Sequence, residues 1–478
     1  MHYAILLCKE QVKNMNKNLL VHFFESWKDK EGNVNKTSDI LAWIERLNRE
    51  TVVDIREINI DESTFWFYDD YNGEVLNRKR SFFSVKGLRY FDNDEFLGEQ
   101  PIIVQPEIGY LGIIGKMIDG RLNFLMQAKI EPGNVNCVQI SPTIQATKSN
   151  FTRSHGGNLP SYFSYFENAR NYQVIYDQVQ SEQSARFLKK RNRNMIMLVD
   201  EDIEVLPNFK WMTLGQIKAL MEIDNLVNMD TRTVLSGIPF LNTALSDEDK
   251  KELREVIGND EIYLSLFETN PIESVVDIYQ SINNYKMFHD ITVAEVPLNQ
   301  LVDWKVDKRG VYCKKDADFE VRYYQIEIEG REVRKWDQPL FKAVGSATFG
   351  LMYCVEDGRM KFLVSIKPEI GSFDKIEIAP TVQVEATETE GERNAVEKVF
   401  FDQLAKNEGI RLDVVLSEEG GRFYHEQNRN VIMEVSKEAL GELPEEYFWA
   451  DYSALNYLVQ VNNCLNIQLR NLLSLLDF

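Results

Sequence analysis

The sequence is poor in residues that bind metals or form disulfides. Its 478 residues include only five cysteines and five histidines. The cysteines show neither CxxC nor Cys/His ligand spacing, so they indicate no zinc site and no disulfide framework. A glycine-rich dinucleotide fingerprint is also missing. We therefore expect ordinary thiols, no bound metal and no redox cofactor.

Basic residues and long apolar runs are scarce as well. Lys plus Arg number 54 against 75 Asp plus Glu, which gives a net charge of −21. Such a balance argues against general affinity for nucleic acid or anionic membranes, and an anionic ligand needs a local basic pocket. No run approaches the roughly 20 apolar residues of a membrane helix, and no convincing signal peptide opens the chain. We expect a cytoplasmic protein.

The chain contains a copy of itself. The segment QPIIVQPEIGYLGIIGKMIDGRLNFLMQAKIEPG, from Gln100, aligns without a gap with QPLFKAVGSATFGLMYCVEDGRMKFLVSIKPEIG, from Gln338, at an offset of 238 residues. The offset is 236 between SEQSARFLKKRNRN, from Ser181, and SEEGGRFYHEQNRN, from Ser417. This repeat indicates one ancestral domain that was duplicated and fused. We expect an N-terminal extension over residues 1–19 and repeats over 20–240 and 241–478.

Each repeat is expected to be an α+β, or mixed α/β, domain. The Asp119–Gly120 and Asp357–Gly358 pairs lie between alternating apolar residues, which predicts tight hairpins with one buried face. Antiparallel strands should therefore form the centre of each repeat. Each repeat should close with one amphipathic helix. The pattern is clearest in the second repeat, whose apolar residues recur at steps of three and four: Leu458, Val461, Leu465, Leu469 and Leu472. The Asn and Arg side chains of this helix face either the other repeat or solvent.

A first polar cluster lies between residues 127 and 155, around Pro-Gly and Ser-Pro turns. By strand alternation, three of its side chains share one face. As a whole the cluster favours a binding or catalytic site, although any single member fits a solvated strand face equally well. The candidate residues are Gln127, Lys129, Glu131, Asn134, Gln145, Asn150, Arg153 and His155.

A second cluster follows Ser417, where two glycines allow a ligand to approach the backbone closely. Residues that both repeats retain either maintain the fold or bind phosphate at one site in each repeat. The sequence does not distinguish these two alternatives. Tyr424 and His425 occur only in the second repeat, whereas Asn150, Arg153 and His155 occur only in the first. The candidates from this cluster and its counterpart are Arg186, Arg193, Glu419, Arg422, Tyr424, His425, Asn428 and Arg429.

These motifs resemble the NDP-hexose 2,3-dehydratases. The resemblance is carried by QPEIGYLG, FLMQAKIEPGN, SPTIQATKSNFTRSH and SEEGGRFYHEQNR, and it runs from about residue 20 to the end. It implies a dTDP-4-keto-6-deoxy-D-glucose substrate, which loses water from C2 and C3 to give a 3,4-diketo-2,6-dideoxy sugar nucleotide. It also implies two Nudix-like domains per chain, a homodimer and an NADPH-dependent 3-ketoreductase acting next.

Such an elimination needs a base, an acid and donors for an enolate oxygen. Lys129 and Arg153 are candidates for the enolate. The candidates for proton transfer, which the sequence does not rank, are Glu131, His155, Glu419, Tyr424 and His425. The diphosphate candidates are Arg186, Arg193, Arg422 and Arg429.

Two other functions compete with dehydration. A Nudix-type pyrophosphohydrolase needs a helix with REx₂EE-like carboxylates, and the acidic stretch from Glu385 to Glu397 lacks that spacing. A nucleotide-sugar binding protein without turnover is the other alternative. If each repeat forms its own pocket, the first is favoured for chemistry, because the second carries the acidic segment ATETEG. If the repeats build one composite site, both clusters contribute.

Overall fold

The computed structural model describes residues 17–152, 159–240, 245–331 and 333–477. Helices and strands are mixed in both halves, which confirms the mixed α/β class. The first half contains α1 (Lys17–Lys28), α2 (Thr37–Glu50), β1 (Val53–Ile58), β2 (Trp66–Asp69), β3 (Glu74–Asn77), β4 (Ser84–Asp92), β5 (Glu95–Val104), β6 (Gly109–Ile118), β7 (Arg121–Ile130), β8 (Val138–Ser141), β9 (Ile144–Ala146), α3 (Lys148–Phe151), α4 (Phe163–Glu167), β10 (Gln173–Ser181), β11 (Arg191–Leu198), β12 (Phe209–Met212), α5 (Leu214–Met221) and α6 (Met229–Leu235).

The second half contains α7 (Asp247–Ile257), α8 (Asp260–Phe267), α9 (Pro271–Phe288), β13 (Ile291–Val296), β14 (Trp304–Asp307), β15 (Gly310–Cys313), β16 (Phe319–Ile328), β17 (Lys335–Ala343), β18 (Thr348–Glu356), β19 (Arg359–Pro368), β20 (Ile376–Ala379), β21 (Val382–Val384), α10 (Ala395–Lys406), β22 (Ile410–Ser417), β23 (Phe423–Tyr424), β24 (Gln427–Glu434), α11 (Lys437–Leu440), β25 (Tyr447–Asp451), α12 (Tyr452–Leu458) and α13 (Ile467–Ser474).

Both predicted hairpins are present. In the first, Ile118 pairs with Arg121 across the two-residue loop Asp119–Gly120. The two loop residues have φ of 48° and 75°, and those of Asp357–Gly358 have φ of 51° and 74°. Positive φ at both central residues is the backbone of a type I′ turn, which Gly adopts freely and Asp tolerates.

The two halves repeat their strand pairings at the sequence offset. Leu111 pairs with Gln145 in the first half, and Phe349 pairs with Gln383 at positions 238 residues later. Each half has a seven-stranded mixed sheet, in which β6 runs parallel to β11 and β18 runs parallel to β24. The largest apolar core is shared by both halves, and Phe124 and its counterpart Phe362 are fully buried in it.

Each half also gives one strand to a sheet of the other half. β1 pairs with β16, so that Val53 lies opposite Ile328. Its counterpart β13 pairs with β4, so that Ile291 lies opposite Asp92. Neither of these two sheets is complete without the other half, so the halves are interlocked. The domain boundary near residue 240 stays a prediction, and residues 241–244 lie outside the described residues.

The single closing helix expected from the sequence is wrong. Two short helices stand in its place in each half, α5 and α6 in the first and α12 and α13 in the second. Asn463 takes a left-handed φ of 55° between α12 and α13, and the side chain of Asn466 caps α13 by accepting a hydrogen bond from the Leu469 N–H. The apolar period continued across this break because residues on both sides, such as Leu458 and Leu469, are buried in the same core.

The arginines of these closing helices face the other half of the chain. Arg232 Nη2 donates to the Ser417 carbonyl oxygen at 2.6 Å, and Arg470 donates to the Ser181 carbonyl oxygen. Both guanidinium groups are buried. They therefore join the two halves and are not solvated. Separately, no helix in the described part of the chain is long and apolar enough to cross a membrane.

A buried carboxyl between the halves predicts pH-dependent stability. Burial raises the pKa of Glu377 to about 8 from 4.5, and Ser181 Oγ donates to it at 2.7 Å. The folded protein thus keeps a proton that the unfolded chain releases, so stability falls as pH rises between those values, by about 1.4 kcal/mol per pH unit. The matching position in the first half is Gln139.

We therefore expect Glu377→Gln to flatten this fall in the free energy of unfolding. Urea unfolding of the parent and the variant at several pH values from 4.5 to about 8 measures the difference. An unchanged slope in the variant would show that Glu377 ionises normally in the folded protein.

Candidate active site

A cavity of about 410 Å³ lies where the two halves meet. Its aromatic wall comes from both halves: Phe65, Trp66, Phe82, Phe187 and Trp336. Its charged lining comprises five cationic side chains and four carboxyls: Lys79, Lys129, Lys190, Arg331, Arg422, Glu131, Glu182, Asp337 and Glu419. Since the whole chain carries a charge of −21, this is a local basic pocket of the kind an anionic ligand needs.

A second cavity, of about 460 Å³, lies around Glu356 and Lys437 in the second half. Of the candidate residues that the structure describes, none lines this second cavity. Within the described ranges, no three His, Cys, Asp or Glu side chains are arranged to hold a metal ion. The candidate chemistry therefore concentrates in the cavity between the halves.

Two backbone hydrogen bonds bring the sequence clusters of both halves together at this cavity. The Gly133 N–H donates to the Gly420 carbonyl at 2.7 Å, and the His425 N–H donates to the Gly133 carbonyl at 2.9 Å. A Cβ atom at Gly133 would lie 1.5 Å from the Phe423 carbonyl oxygen, so only glycine fits. The clusters therefore build one composite pocket instead of a separate pocket in each repeat.

Lys129 and Glu131 form the ionic centre of the first cluster. Lys129 Nζ lies 2.8 Å from Glu131 Oε1 and donates to the Gln145 carbonyl oxygen at 3.0 Å. Arg331 Nη1, from the second half, lies 3.2 Å from the same Glu131 oxygen. Burial alone would raise the pKa of Glu131, but Arg331 and Lys129 outweigh it and hold this pKa at about 2. Glu131 thus stays ionised and positions two cations.

Glu182 and Glu419 are the carboxyls suited to proton transfer. Burial, with the nearby charge of Glu419, raises the pKa of Glu182 to about 7. Burial also raises the pKa of Glu419, against the attraction of Arg422. Asn192 Nδ2 donates to Glu182 Oε1 at 2.5 Å, and the Gly421 N–H donates to Glu419 Oε1 at 2.8 Å. Two neighbouring carboxyls whose pKa values are raised by different amounts by their surroundings are typical of acid–base catalysis.

Arg422 supplies a buried positive charge. Its guanidinium lies 4.6 Å from the Phe82 ring centroid, and it donates to Gln105 Oε1 at 3.2 Å and to the Gly421 carbonyl at 2.8 Å. Among the described residues, no carboxylate forms an ion pair with Arg422 within 4.0 Å. Nearby, burial lowers the pKa of Lys190 to about 8. An anionic ligand can therefore interact with Arg422.

The matching position in the second half is neutralised by the protein itself. Arg186, the counterpart of Arg422, lies 3.2 Å from Glu385, where the first half has Thr147. Lys190 is replaced there by Glu426, and Glu419 by Gln183, at the offset of 236 residues. The two positions therefore differ in charge. Within the described residues Arg422, in the pocket built on Lys129 and Glu131, has no carboxylate within 4.0 Å, whereas Arg186 has one.

The structure places several candidates outside the cavity. Tyr424 stacks on Tyr324 with ring centroids 4.3 Å apart, and the exposed His425 stacks on Tyr424 at 4.1 Å. Arg193 and Arg429 are held in ion pairs, with Asp177 at 2.5 Å and Asp413 at 2.6 Å respectively. Arg153 and His155 lie outside the described residues.

The polar candidates divide in the same way. Gln145 and Asn150 line the cavity. Gln127 sits between two strands, opposite Phe209 and Ser141. Asn134 is buried, where its Nδ2 donates to the Cys137 carbonyl oxygen at 2.8 Å. Asn428 Nδ2 donates to Glu418 Oε1 at 3.0 Å. The side chains of Asn134 and Asn428 therefore support the surrounding fold, and Gln127 is not among the residues that line the cavity.

Sequence reasoning assigned no role to Glu182 or Lys190, which both line the cavity. One signal for Lys190 was present, because its counterpart Glu426 carries the opposite charge. Glu182 gave no such signal, since Glu418 occupies its matching position. Only the fold shows that Glu182 faces Glu419 of the other half across one pocket.

Known proteins resemble the chain over most of its length. A family model described as NDP-hexose 2,3-dehydratase matches residues 37–238 and again 275–476. The chain is 35% identical over 445 residues to the dTDP-4-dehydro-6-deoxy-alpha-D-glucopyranose 2,3-dehydratase of Saccharopolyspora spinosa, covering 92% of this chain and 90% of the relative. Proteins with the same name from Amycolatopsis orientalis and Streptomyces violaceoruber are each 33% identical, over 92% of this chain and over 90% and 97% of their own lengths.

Proposed function

Since this chain belongs to the NDP-hexose 2,3-dehydratase family, we propose that it dehydrates dTDP-4-keto-6-deoxy-D-glucose in the cavity between its halves. The enzyme is a sugar-nucleotide hydro-lyase, and the comparisons favour this over a pyrophosphohydrolase or a binding protein. The observation that carries the proposed site is the composite pocket, in which Lys129, Glu182, Glu419 and Arg422 come together from two halves of an acidic chain.

The reaction needs one proton removed and one supplied. The C4 ketone acidifies the hydrogen on C3, so a base can break the C3–H bond and leave its electron pair in an enolate between C3 and C4. The C2–O bond then breaks as an acid protonates the C2 hydroxyl, which leaves as water. A C2=C3 double bond forms, and the resulting enol relaxes to the 3,4-diketo-2,6-dideoxy sugar.

We assign the base to Glu419 and the acid to Glu182. The Gly421 N–H donates to Glu419, and hydrogen bonding of this kind favours the ionised carboxylate that a base requires. Glu182 has a pKa raised to about 7, chiefly by burial, so a large fraction of it carries the proton that an acid requires at neutral pH. Glu131 is excluded as the acid because its pKa of about 2 keeps it ionised, and so low a pKa also makes it a weak base at neutral pH.

The cations of the cavity divide between the sugar and the diphosphate. We assign Lys129 to the C4 oxygen, because its ammonium group has three N–H donors and two of them are directed at Glu131 and the Gln145 carbonyl. A fixed cation at a developing enolate lowers the barrier to its formation. We assign Arg422, aided by Lys190, to the diphosphate, because no carboxylate of the described residues pairs with it.

The resemblance supports further proposals about assembly and setting. We propose that each half is Nudix-like and that the protein works as a homodimer in the cytoplasm. The diketo product is unstable, so we also propose that an NADPH-dependent 3-ketoreductase consumes it.

A coupled assay tests the proposed function. The protein is incubated with dTDP-4-keto-6-deoxy-D-glucose, a 3-ketoreductase and NADPH, with and without EDTA. We expect NADPH to be consumed and a 2-deoxy sugar nucleotide to form, at the same rate in both samples. Recovery of unchanged substrate from folded protein would contradict dehydration. Metal-dependent release of a sugar phosphate would instead support the hydrolase.

A further inference from the structure

A third buried carboxyl interacts electrostatically with residues that line the pocket, although it does not line the pocket itself. Asp230, on α6, is 1% exposed, and neither of its carboxyl oxygens has a hydrogen-bond partner among the described residues. Glu182 Oε2 also lacks a partner there. The charged groups that act most strongly on Asp230 are pocket residues: Glu182, Glu419, Lys129 and Glu131. Asp230 is thus a third buried carboxyl, and it interacts electrostatically with the two that we assign to catalysis.

Helix α6 is fixed to the cavity wall. Asn228, its N-cap, donates to Ser141 Oγ at 2.8 Å and to Gln145 Oε1 at 3.1 Å. The second half has the same arrangement, with Asn466 donating to Gln383 Oε1 at 2.9 Å, but Gln468 stands at the position of Asp230. An ionisable group therefore occurs at this position only beside the pocket that holds Glu182 and Glu419.

An unpaired buried carboxylate is costly, so Asp230 is expected to hold a proton. Buried oxygens without partners are also places where a bridging water molecule is favourable. Asp230 and Glu182 both offer such oxygens. A carboxylic acid in this position can exchange protons with the pocket carboxyls, whereas an amide cannot.

We propose that Asp230 is a positioning residue that returns the catalytic proton between turnovers. This proposal rests on the proposed function. Each elimination leaves Glu419 protonated and Glu182 ionised. Asp230 gives its O–H proton to Glu182, and it regains a proton from Glu419 through its other carboxyl oxygen. The three carboxyls then hold the same two protons as before, and no proton from bulk solvent is needed.

The test compares the first turnover with steady-state turnover in Asp230→Asn. We expect the first turnover, followed by rapid quench and mass spectrometry, to proceed near the parental rate. Steady-state kcat should fall about 10²-fold, the usual scale for a lost proton-transfer group. Equal losses in both phases would show a structural role, and an unchanged steady state would show no role. If Asp230→Asn does not fold, the same test is made with Asp230→Gln, because glutamine is the residue at the matching position 468 of the second half.

Two further variants sharpen the result. Glu377→Gln also replaces a buried carboxyl of raised pKa by an amide, but Glu377 is not among the cavity residues, so its steady-state rate should match the parent. A double variant, Glu182→Gln with Asp230→Asn, should lose no more activity than Glu182→Gln alone, because Asp230 acts through Glu182. Additive losses would overturn the proposal. Failure of the proposed function is distinguishable, since the parent protein itself would then form no product.

Discussion

Replacing Glu419 or Glu182 by Gln should each lower kcat by about 10² to 10⁴-fold, the usual contribution of a general base or acid. The amide keeps the size of the side chain but cannot exchange a proton at neutral pH. Because Glu182 must carry a proton and its pKa is about 7, parental activity should fall as pH rises through that value. The measurement is kcat in the coupled assay, with a thymidine nucleotide binding assay to show that the pocket is intact.

The matched control for this prediction is Glu418→Gln. Glu418 is the counterpart of Glu182 in the second half, and it accepts a hydrogen bond from Asn428 as Glu182 does from Asn192. We expect this variant to keep activity close to that of the parent. A loss as large as that of Glu182→Gln would mean that the retained Ser-Glu pair maintains the fold in both halves and that Glu182 has no special role.

Lys129→Met should lower kcat by about 10² to 10³-fold, the effect expected when a donor to a developing oxyanion is removed. The methionine keeps much of the length and apolar volume of the lysine side chain. Glu131 keeps Arg331 as a partner at 3.2 Å, so the buried carboxylate is not left alone. Steady-state kinetics in the coupled assay measures the loss, which should lie mainly in kcat.

Lys367→Met provides the comparison. Lys367 is the counterpart of Lys129 and donates to the Gln383 carbonyl at 2.7 Å, as Lys129 does to the Gln145 carbonyl at 3.0 Å. Both variants lose this turn hydrogen bond, and Lys129→Met also loses the 2.8 Å ion pair with Glu131, so it should lose more free energy of unfolding. Only Lys129→Met should lose activity. If both lose activity equally, the lysines hold the turns of their own halves and Lys129 is not assigned to the enolate.

Local features of the fold were predictable because short-range physics determines them. The Asp119–Gly120 turn needs positive φ at two successive residues. An Asp-Gly pair between alternating apolar residues predicts such a turn from sequence alone. The exchange of β1 and β13 was not predictable, since the two halves are similar and the repeat does not show which copy a strand joins. The break before α13 was also missed, because Asn463 and Asn466 interrupt the backbone without interrupting the apolar period.

The site was predictable only in part, because local patterns do not show which distant residues the fold brings together. Strand alternation placed Lys129 and Glu131 on one face, and both line the cavity. It could not exclude Gln127, which shares their periodicity but does not line the cavity. Tyr424 and His425 attracted attention because only one repeat has them. Their rings stack on each other and on Tyr324, outside the cavity, and only long-range packing decides that.

Hydrogen exchange at C3 of the substrate tests the composite acid–base site most directly. Glu182→Gln and Glu419→Gln proteins are incubated with dTDP-4-keto-6-deoxy-D-glucose in D₂O, and deuterium in the recovered substrate is measured by mass spectrometry and NMR. Glu182→Gln retains the base but not the acid, so it should exchange the C3 hydrogen without losing the C2 hydroxyl. Glu419→Gln should exchange nothing. Exchange at the parental rate in Glu419→Gln would contradict the assignment of the base to this pocket.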